Sequence, residues 1–303
     1  MTRPSDTGST GWVAGVERWS TRVGPGIRTT VFFKGCPLRC AWCSSPETWR
    51  SHADLYFRLA RCQRCGACLS CPESAIDLEA HIDRARCTLC MACVDTCPHG
   101  ALQRIGKLVS DREVVEEVAR DTPFYDGGGG ATLSGGEPLV QPEFLARLVQ
   151  SLRTRDISVV LDTSGHGPPQ LLDSLLPLLD LVLFDIKHMD PERHRTITGV
   201  GNELILFNAR RVARHGKLRI SFPLVPGLND DDQNVEATGA FARETGAEWV
   251  DIMPLHRLGE ARYAFLGLPS PYAPFPELLD RRIATVKDML VGLGLRVTIG
   301  RMM

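Results

Sequence analysis

The sequence predicts an α/β protein: a partial (β/α)6-type TIM barrel interrupted by a short, cysteine-dense insert. Three observations carry this. Apolar runs of strand length alternate with stripes of helical period, the pattern of a parallel sheet with crossover helices. Chemically conspicuous residues follow the ends of those runs, where β/α barrels keep their sites. All eleven cysteines lie between positions 36 and 97, eight of them in one compact stretch.

Strands are expected at residues 29–34, 131–133, 157–161, 181–184, 218–224, 249–253 and 295–299. Between them, residues 142–153 put Phe144, Leu145, Leu148, Val149 and Leu152 on one helical face. Similar stripes run through 112–119, 235–244 and 281–291, the last stopped by Gly292. The run Gly127-Gly-Gly-Gly130 lacks the Lys-Ser/Thr that completes a phosphate-binding loop and reads as backbone freedom leading into a strand. Six or seven such β-α units make a partial or a complete barrel. Cys36 follows the first strand, Gly135-Gly136-Glu137 the second, Asp162 the third, Asp185 the fourth and His256 the sixth. A barrel gathers all of them at the C-terminal ends of its strands.

Cys36, Cys40 and Cys43 have the spacing C-x3-C-x2-C on one tight loop. A 4Fe–4S cluster usually takes four thiolates, one per iron. Three thiolates leave one iron open to chemistry, by the logic that separates catalytic from structural zinc. The other cysteines form two runs, Cys62, Cys65, Cys68, Cys71 and Cys87, Cys90, Cys93, Cys97, each followed by proline. The runs repeat at an offset of 25 residues, from Cys62 to Cys87.

The second run has bacterial-ferredoxin spacing. The first is one residue short before Cys71, so its pairing stays open. On the two-cluster ferredoxin pattern, Cys62, Cys65, Cys68 and Cys97 would hold one 4Fe–4S cluster. Cys87, Cys90, Cys93 and Cys71 would hold the second. Zinc sites also use C-x2-C pairs but set two knuckles far apart, whereas here four thiols crowd each run. Disulfides are disfavoured by the odd count and by an N-terminus without the apolar core of a signal peptide. A ferredoxin-like insert is therefore expected at residues 55–106, splitting a barrel of residues 1–54 and 107–303. So small a segment needs its clusters to fold.

The 303 residues are 43% apolar, enough for a sizeable core. Lys plus Arg number 35 and Asp plus Glu 36, which points to neither nucleic acid nor an anionic membrane surface. The most apolar stretch, 171–186, is broken by Asp173, Pro177 and Asp180 and does not span a bilayer. A reducing, oxygen-poor cytoplasm is the expected compartment.

Several stretches together resemble the radical S-adenosylmethionine (SAM) proteins, and among them the activating enzymes of glycyl radical enzymes. These are Gly26-Ile-Arg-Thr-Thr-Val-Phe-Phe-Lys-Gly-Cys-Pro-Leu-Arg-Cys40, Trp42-Cys-Ser-Ser-Pro-Glu47, Ser134-Gly-Gly-Glu-Pro138, Leu161-Asp-Thr-Ser-Gly165, Asp185-Ile-Lys187, Val225-Pro-Gly-Leu-Asn-Asp230 and Pro254-Leu-His256. The resemblance covers about residues 15 to 270. It implies that SAM chelates the open iron and that an electron from the cluster cleaves its S–C5′ bond. The resulting 5′-deoxyadenosyl radical then takes a hydrogen from a glycine Cα of a partner enzyme. Flavodoxin or ferredoxin would supply electrons through the accessory clusters. The insert sets the chain beside activases of decarboxylases, dehydratases and lyases.

The same resemblance implies the SAM contacts. Gly135 and Gly136 would admit close backbone approach, and Glu137 would accept from the SAM ammonium. Asp162 and Asp185 would take the ammonium or the ribose hydroxyls, and Lys187 the carboxylate end. Trp42 would flank the adenine, with Ser44 beside it and His256 on the nucleoside. The Gly127–Gly130 run would lie near the incoming glycine loop. Two positions depart from the family. Val23 stands where an aspartate is frequent, and Ser221 where an arginine is frequent. Arg219, two residues away on the same strand face, is expected to take over that role. Two rival functions remain: a radical SAM enzyme acting on a small molecule, and an electron-transfer iron–sulfur protein.

Overall fold

A computed structural model describes residues 8–77 and 81–300. The first seven residues, part of the N-terminus read as lacking a signal peptide, lie outside the described residues. The strands are β1 (Thr10–Ser20), β2 (Arg28–Phe33), β3 (Asp54–Phe57), β4 (Ile76–Asp77), β5 (His81–Ile82), β6 (Leu102–Ile105), β7 (Lys107–Ser110), β8 (Gly130–Gly135), β9 (Val159–Thr163), β10 (Leu181–Asp185), β11 (Leu218–Leu224), β12 (Trp249–Pro254) and β13 (Arg296–Ile299). The helices are α1 (Ala92–Thr96), α2 (Asp111–Ala119), α3 (Pro142–Arg153), α4 (Pro169–Leu175), α5 (Pro191–Thr198), α6 (Glu203–Ala213), α7 (Asp232–Thr245), α8 (Glu260–Leu266) and α9 (Asp280–Gly292).

Nine strands form one sheet in the order β13-β12-β11-β10-β9-β8-β2-β1-β7. Seven of them, β2 and β8 through β13, are parallel neighbours. The seven predicted strands correspond to these seven within a few residues at each end. The inner runs are apolar without alternation because both faces are buried, as in β11, while the edge strand β13 stays partly exposed. Among the described residues β13 and β7 are the sheet's two edges, and the strands do not close into a ring. β1 pairs antiparallel with both β2 and β7.

Local signals explain the helix boundaries. Ser110 and Glu113 cap α2 reciprocally, each side chain taking the other's backbone N–H. Pro142 opens α3 at a position that needs no N–H donor. Asp190 and Asp231 cap α5 and α7, which end on the left-handed Gly199 and Gly246. The core lies between helices and sheet, with Leu133, Leu145, Leu148 and Leu161 fully buried.

Residues between β3 and β6 leave and return side by side, since those two strands pair antiparallel from Asp54–Ile105 to Phe57–Leu102. This segment carries eight cysteines and a small apolar cluster of its own, Ala53, Leu55, Met91, Cys93 and Leu102. Among the described residues no helix is long and apolar enough to cross a membrane.

Candidate active site

A cavity of about 320 Å³ opens at the C-terminal ends of the parallel strands. Cys36, Cys40, Trp42, Cys43 and Ser44 line it from the loop after β2. Gly135 ends β8 and Gly136 follows it, Asp162 lies on β9, Asp185 ends β10 with Lys187 just beyond, and His256 follows β12. Eleven residues singled out in the sequence thus face one space because each follows or ends a neighbouring strand.

The cysteine loop is held by backbone bonds from two directions. Gly35 and Cys36 donate to the carbonyls of Thr48 and Trp49 at 2.7 and 3.2 Å, while Arg39 and Ala41 donate to Thr198 and Ile197 at 2.6 and 3.0 Å. Burial pushes the Cys36 and Cys40 thiols up to about 12, and raises Cys43. Such thiols shed their protons when a metal takes them, so cluster binding and deprotonation are coupled here.

Gly135 and Gly136 let the end of β8 lie directly on the loop. A Cβ at Gly135, whose φ is +114°, would sit 2.3 Å from the Phe33 nitrogen, and one at Gly136 would sit 2.2 Å from the Gly35 carbonyl oxygen. The expectation for Glu137 is corrected. Its side chain is fully buried and does not line the cavity. The carboxylate accepts from the Leu139 and Ser164 N–H groups at 3.1 and 2.8 Å, from Thr163 Oγ1 at 2.6 Å and from the Ser164 hydroxyl. Those bonds fill its acceptor positions and tie the turn after β8 to the end of β9.

Ser134 donates to Asp162 at 2.8 Å, and Lys187 pairs with Asp185 at 2.8 Å. Burial opposes the charge on Lys187, but Asp185 and the nearby Cys40 outweigh it and hold the ammonium above its usual range. His256 is exposed at the rim. Arg219 is the second correction. Its guanidinium is buried against Asp251, with Nε 2.7 Å from the carboxylate, and stacks on Trp249 at 4.8 Å. Ser221 lines the cavity and Arg219 does not. The Gly127–Gly130 run sits at the opposite, N-terminal end of the strands, where Gly130 pairs with Arg28.

Other residues act through the site's walls. Asn229, fully buried, donates to the Lys187 carbonyl at 2.9 Å and accepts from Val225 N at 2.8 Å. Tyr263 and Tyr272 donate to the Cys43 carbonyl at 2.8 and 2.9 Å. Burial and Cys43 raise both phenols, Tyr272 to about 12, so each keeps its proton. Asn229 lies inside a quoted motif, so its position was visible but not its task. The tyrosines stand outside every strand or helix predicted from periodicity.

In the cysteine-rich segment, Cys62, Cys65, Cys68 and Cys97 line one small cavity of about 20 Å³. Cys93 has Cys87, Cys71 and Cys90 as neighbours, and burial pushes its thiol up to about 11. Burial also opposes ionisation of Cys97, but backbone N–H groups from residues 99–102 outweigh it and lower the thiol. Among the described residues no His, Cys, Asp or Glu group is set to hold a single metal ion. Arg84 and Tyr56 join this segment to α8, by a 3.1 Å bond to the Phe265 carbonyl and a 5.4 Å ring contact.

Residues 30–238 match the family described as the radical SAM superfamily. The chain belongs to the radical SAM superfamily. Among its relatives is the (2S)-3-sulfopropanediol dehydratase activating enzyme of Klebsiella oxytoca, 39% identical over 86% of each chain. The isethionate sulfite-lyase activating enzyme of Oleidesulfovibrio alaskensis is 36% identical over 96% of this chain and 97% of its own. By family the chain is a radical SAM activating enzyme of the kind that serves glycyl radical enzymes. Streptococcus suis SuiB bound to its precursor peptide SuiA is similar in fold, with a TM-score of 0.53 and 11% identity over 87% of this chain and 46% of that one.

The radical SAM family implies SAM and a 4Fe–4S cluster, and the residues present fit both. Three thiols face the cavity from one loop, the glycine turn presents bare backbone beside them, and Asp162, Asp185 and Lys187 offer both charges.

Proposed function

We propose that this radical SAM enzyme installs a glycyl radical on a dehydratase, lyase or decarboxylase partner. The observation that carries the reading is the convergence of Cys36, Cys40 and Cys43 with the glycine turn and the Asp185–Lys187 pair on one cavity. The activating-enzyme relatives support the class of partner. When bound, SAM on the reduced cluster supplies homolytic S–C5′ cleavage and hydrogen-atom abstraction.

The chain's own residues bind, orient and shield. Cys36, Cys40 and Cys43 would hold the cluster. Lys187 would take the SAM carboxylate, and Asp162 and Asp185 its ammonium or ribose hydroxyls. Trp42, Ser44 and His256 would surround the nucleoside, and Gly135 and Gly136 keep the cradle open to it. Asn229 and Glu137 hold those groups in place without touching the ligand.

On this reading the open sheet is a partial (β/α)6-type barrel of residues 1–54 and 107–303. Residues 55–106 are a ferredoxin-like insert with two 4Fe–4S clusters. The cavity shared by Cys62, Cys65, Cys68 and Cys97, and the nearness of Cys71 to Cys87, Cys90 and Cys93, support the crossed pairing. The insert would pass electrons from a flavodoxin or ferredoxin in a reducing cytoplasm.

Two variants test the assignment. Cys36→Ala abolishes 5′-deoxyadenosine release under strong reductant, and full release would sink the cluster site. Cys90→Ala keeps that release with a chemical reductant but slows it with a protein donor. Loss of all iron in Cys90→Ala would make the insert structural instead of a relay.

A further inference from the structure

Two tyrosine side chains meet at Cys43, and Trp49 packs against one of them. Tyr263 and Tyr272 both donate to its carbonyl oxygen, at 2.8 and 2.9 Å, from 220 and 229 residues away in sequence. The rings pack edge to face, Trp49 on Tyr263 at 5.9 Å and Tyr263 on Tyr272 at 6.0 Å. Cys36 and Cys40 are served from within the loop: their carbonyls accept from the Arg39 side chain and the Cys43 backbone N–H. Cys43 is therefore where the distant C-terminal part of the fold grips the loop.

One donor satisfies a buried carbonyl, and two long-range phenols are more than satisfaction requires. The Tyr263 hydroxyl dipole points its positive end at the Cys43 carbonyl. That of Tyr272 is shared between the Cys43 and Trp42 carbonyls at 2.9 and 3.2 Å, the two peptide groups that flank the Cys43 side chain. A cluster gains negative charge on reduction, and hydrogen bonding and burial around its ligands are principal settings of its potential. Positive dipoles fixed beside one ligand favour the reduced form.

We propose that Tyr263 and Tyr272 are positioning residues that raise the reduction potential of the cluster held by Cys36, Cys40 and Cys43, by fixing and polarising the Cys43 peptide group. The proposal rests on the assignment of those three cysteines as cluster ligands.

Tyr263→Phe and Tyr272→Phe each remove one oxygen and keep the ring. In an anaerobic redox titration of the full chain, the EPR signal that changes on adding SAM reads the barrel cluster apart from any other. Both single variants are expected to keep wild-type iron content and shift the midpoint of that signal to more negative potential. The double variant shifts it further, and if it fails to fold the single variants decide. An unchanged or more positive midpoint in both single variants overturns the proposal. So does iron loss in either, since the hydroxyls would then hold the cluster instead of tuning it. A wild-type protein with no SAM-responsive signal overturns the ligand assignment itself.

Discussion

Glu137 and Ser164 are joined twice: the same carboxylate oxygen accepts from the Ser164 backbone N–H at 2.8 Å and from its hydroxyl. With Thr163 on the other oxygen, one buried side chain fastens the end of β9 to the turn that cradles the cavity. Burial raises the Glu137 carboxyl, and Glu137→Gln turns an amide NH2 against the Leu139 or Ser164 N–H, leaving a buried donor without an acceptor at a cost of about 1–3 kcal/mol. The variant is expected to lose about 1–3 kcal/mol of stability and to bind SAM more weakly. Anaerobic thermal unfolding and SAM titration check both. Weaker SAM binding at unchanged stability would mean that Glu137 touches the ligand directly.

Asn229 gives a parallel case at the next strands. Asn229→Ala strips the partner from the Lys187 carbonyl and the Val225 N–H, two groups in a buried corner. Each orphaned group costs about 1–3 kcal/mol. Lys187 loses its support, and SAM affinity falls by about tenfold, equivalent to about 1.4 kcal/mol. Equilibrium binding to the reconstituted protein reads this directly. Wild-type affinity would show that the Lys187 turn stands without Asn229.

The glycines separate close approach from mere flexibility. Gly136→Ala drives a Cβ to 2.2 Å from the Gly35 carbonyl oxygen, backbone against backbone, with no side chain able to yield. Gly127, at φ +71°, has nothing within 4 Å of its Cβ position. Gly127→Ala is expected to cost about 1 kcal/mol or slightly more in backbone strain and to spare the cluster. Gly136→Ala is expected to displace the cysteine loop and lower cluster occupancy. Iron content and SAM-responsive absorbance distinguish the two.

Acid should loosen the cysteine loop through α5. His194 is buried, with Nδ1 2.7 Å from the Val200 carbonyl and Nε2 without a partner. Burial lowers it from 6.5 to about 4, and burial also lowers His188. The unfolded chain therefore binds the extra protons first as pH falls. For His194 that stability is fully present above about 6.5 and declines toward pH 4, by up to about 1.4 kcal/mol per pH unit, and His188 acts in the same direction. α5 ends in the Ile197 and Thr198 carbonyls that hold the loop. The melting temperature at pH 5.5 should fall several degrees below that at pH 7.5, and His194→Asn should flatten the difference. An equal drop in the variant would place the proton elsewhere.

Most of the parallel strands were legible because they are apolar runs buried on both faces, as in β9, β10 and β11, and α3 matched its predicted range because Pro142 and its stripe mark both ends. β1 was not legible. Its burial is partial and irregular, it contains Gly11 and Gly15, and Trp19 has a positive φ of 60°. At the site, position after a strand end identified the residues that line the cavity but not where each side chain points. Glu137 and Arg219 have the right chemistry and the right strand, yet both are turned to protein partners, Ser164 and Asp251. Tyr263 and Tyr272 reach Cys43 from more than two hundred residues away, a contact no local pattern encodes.

The central claim is tested by mixing the anaerobically reconstituted, reduced protein with SAM and the glycyl radical enzyme encoded nearest its gene, then recording the EPR spectrum. The account predicts a doublet from a carbon-centred radical coupled to one α-hydrogen, dependent on SAM and absent with Cys36→Ala. Release of 5′-deoxyadenosine without that doublet, with every co-encoded glycyl radical enzyme tried, would contradict it and favour a small-molecule substrate.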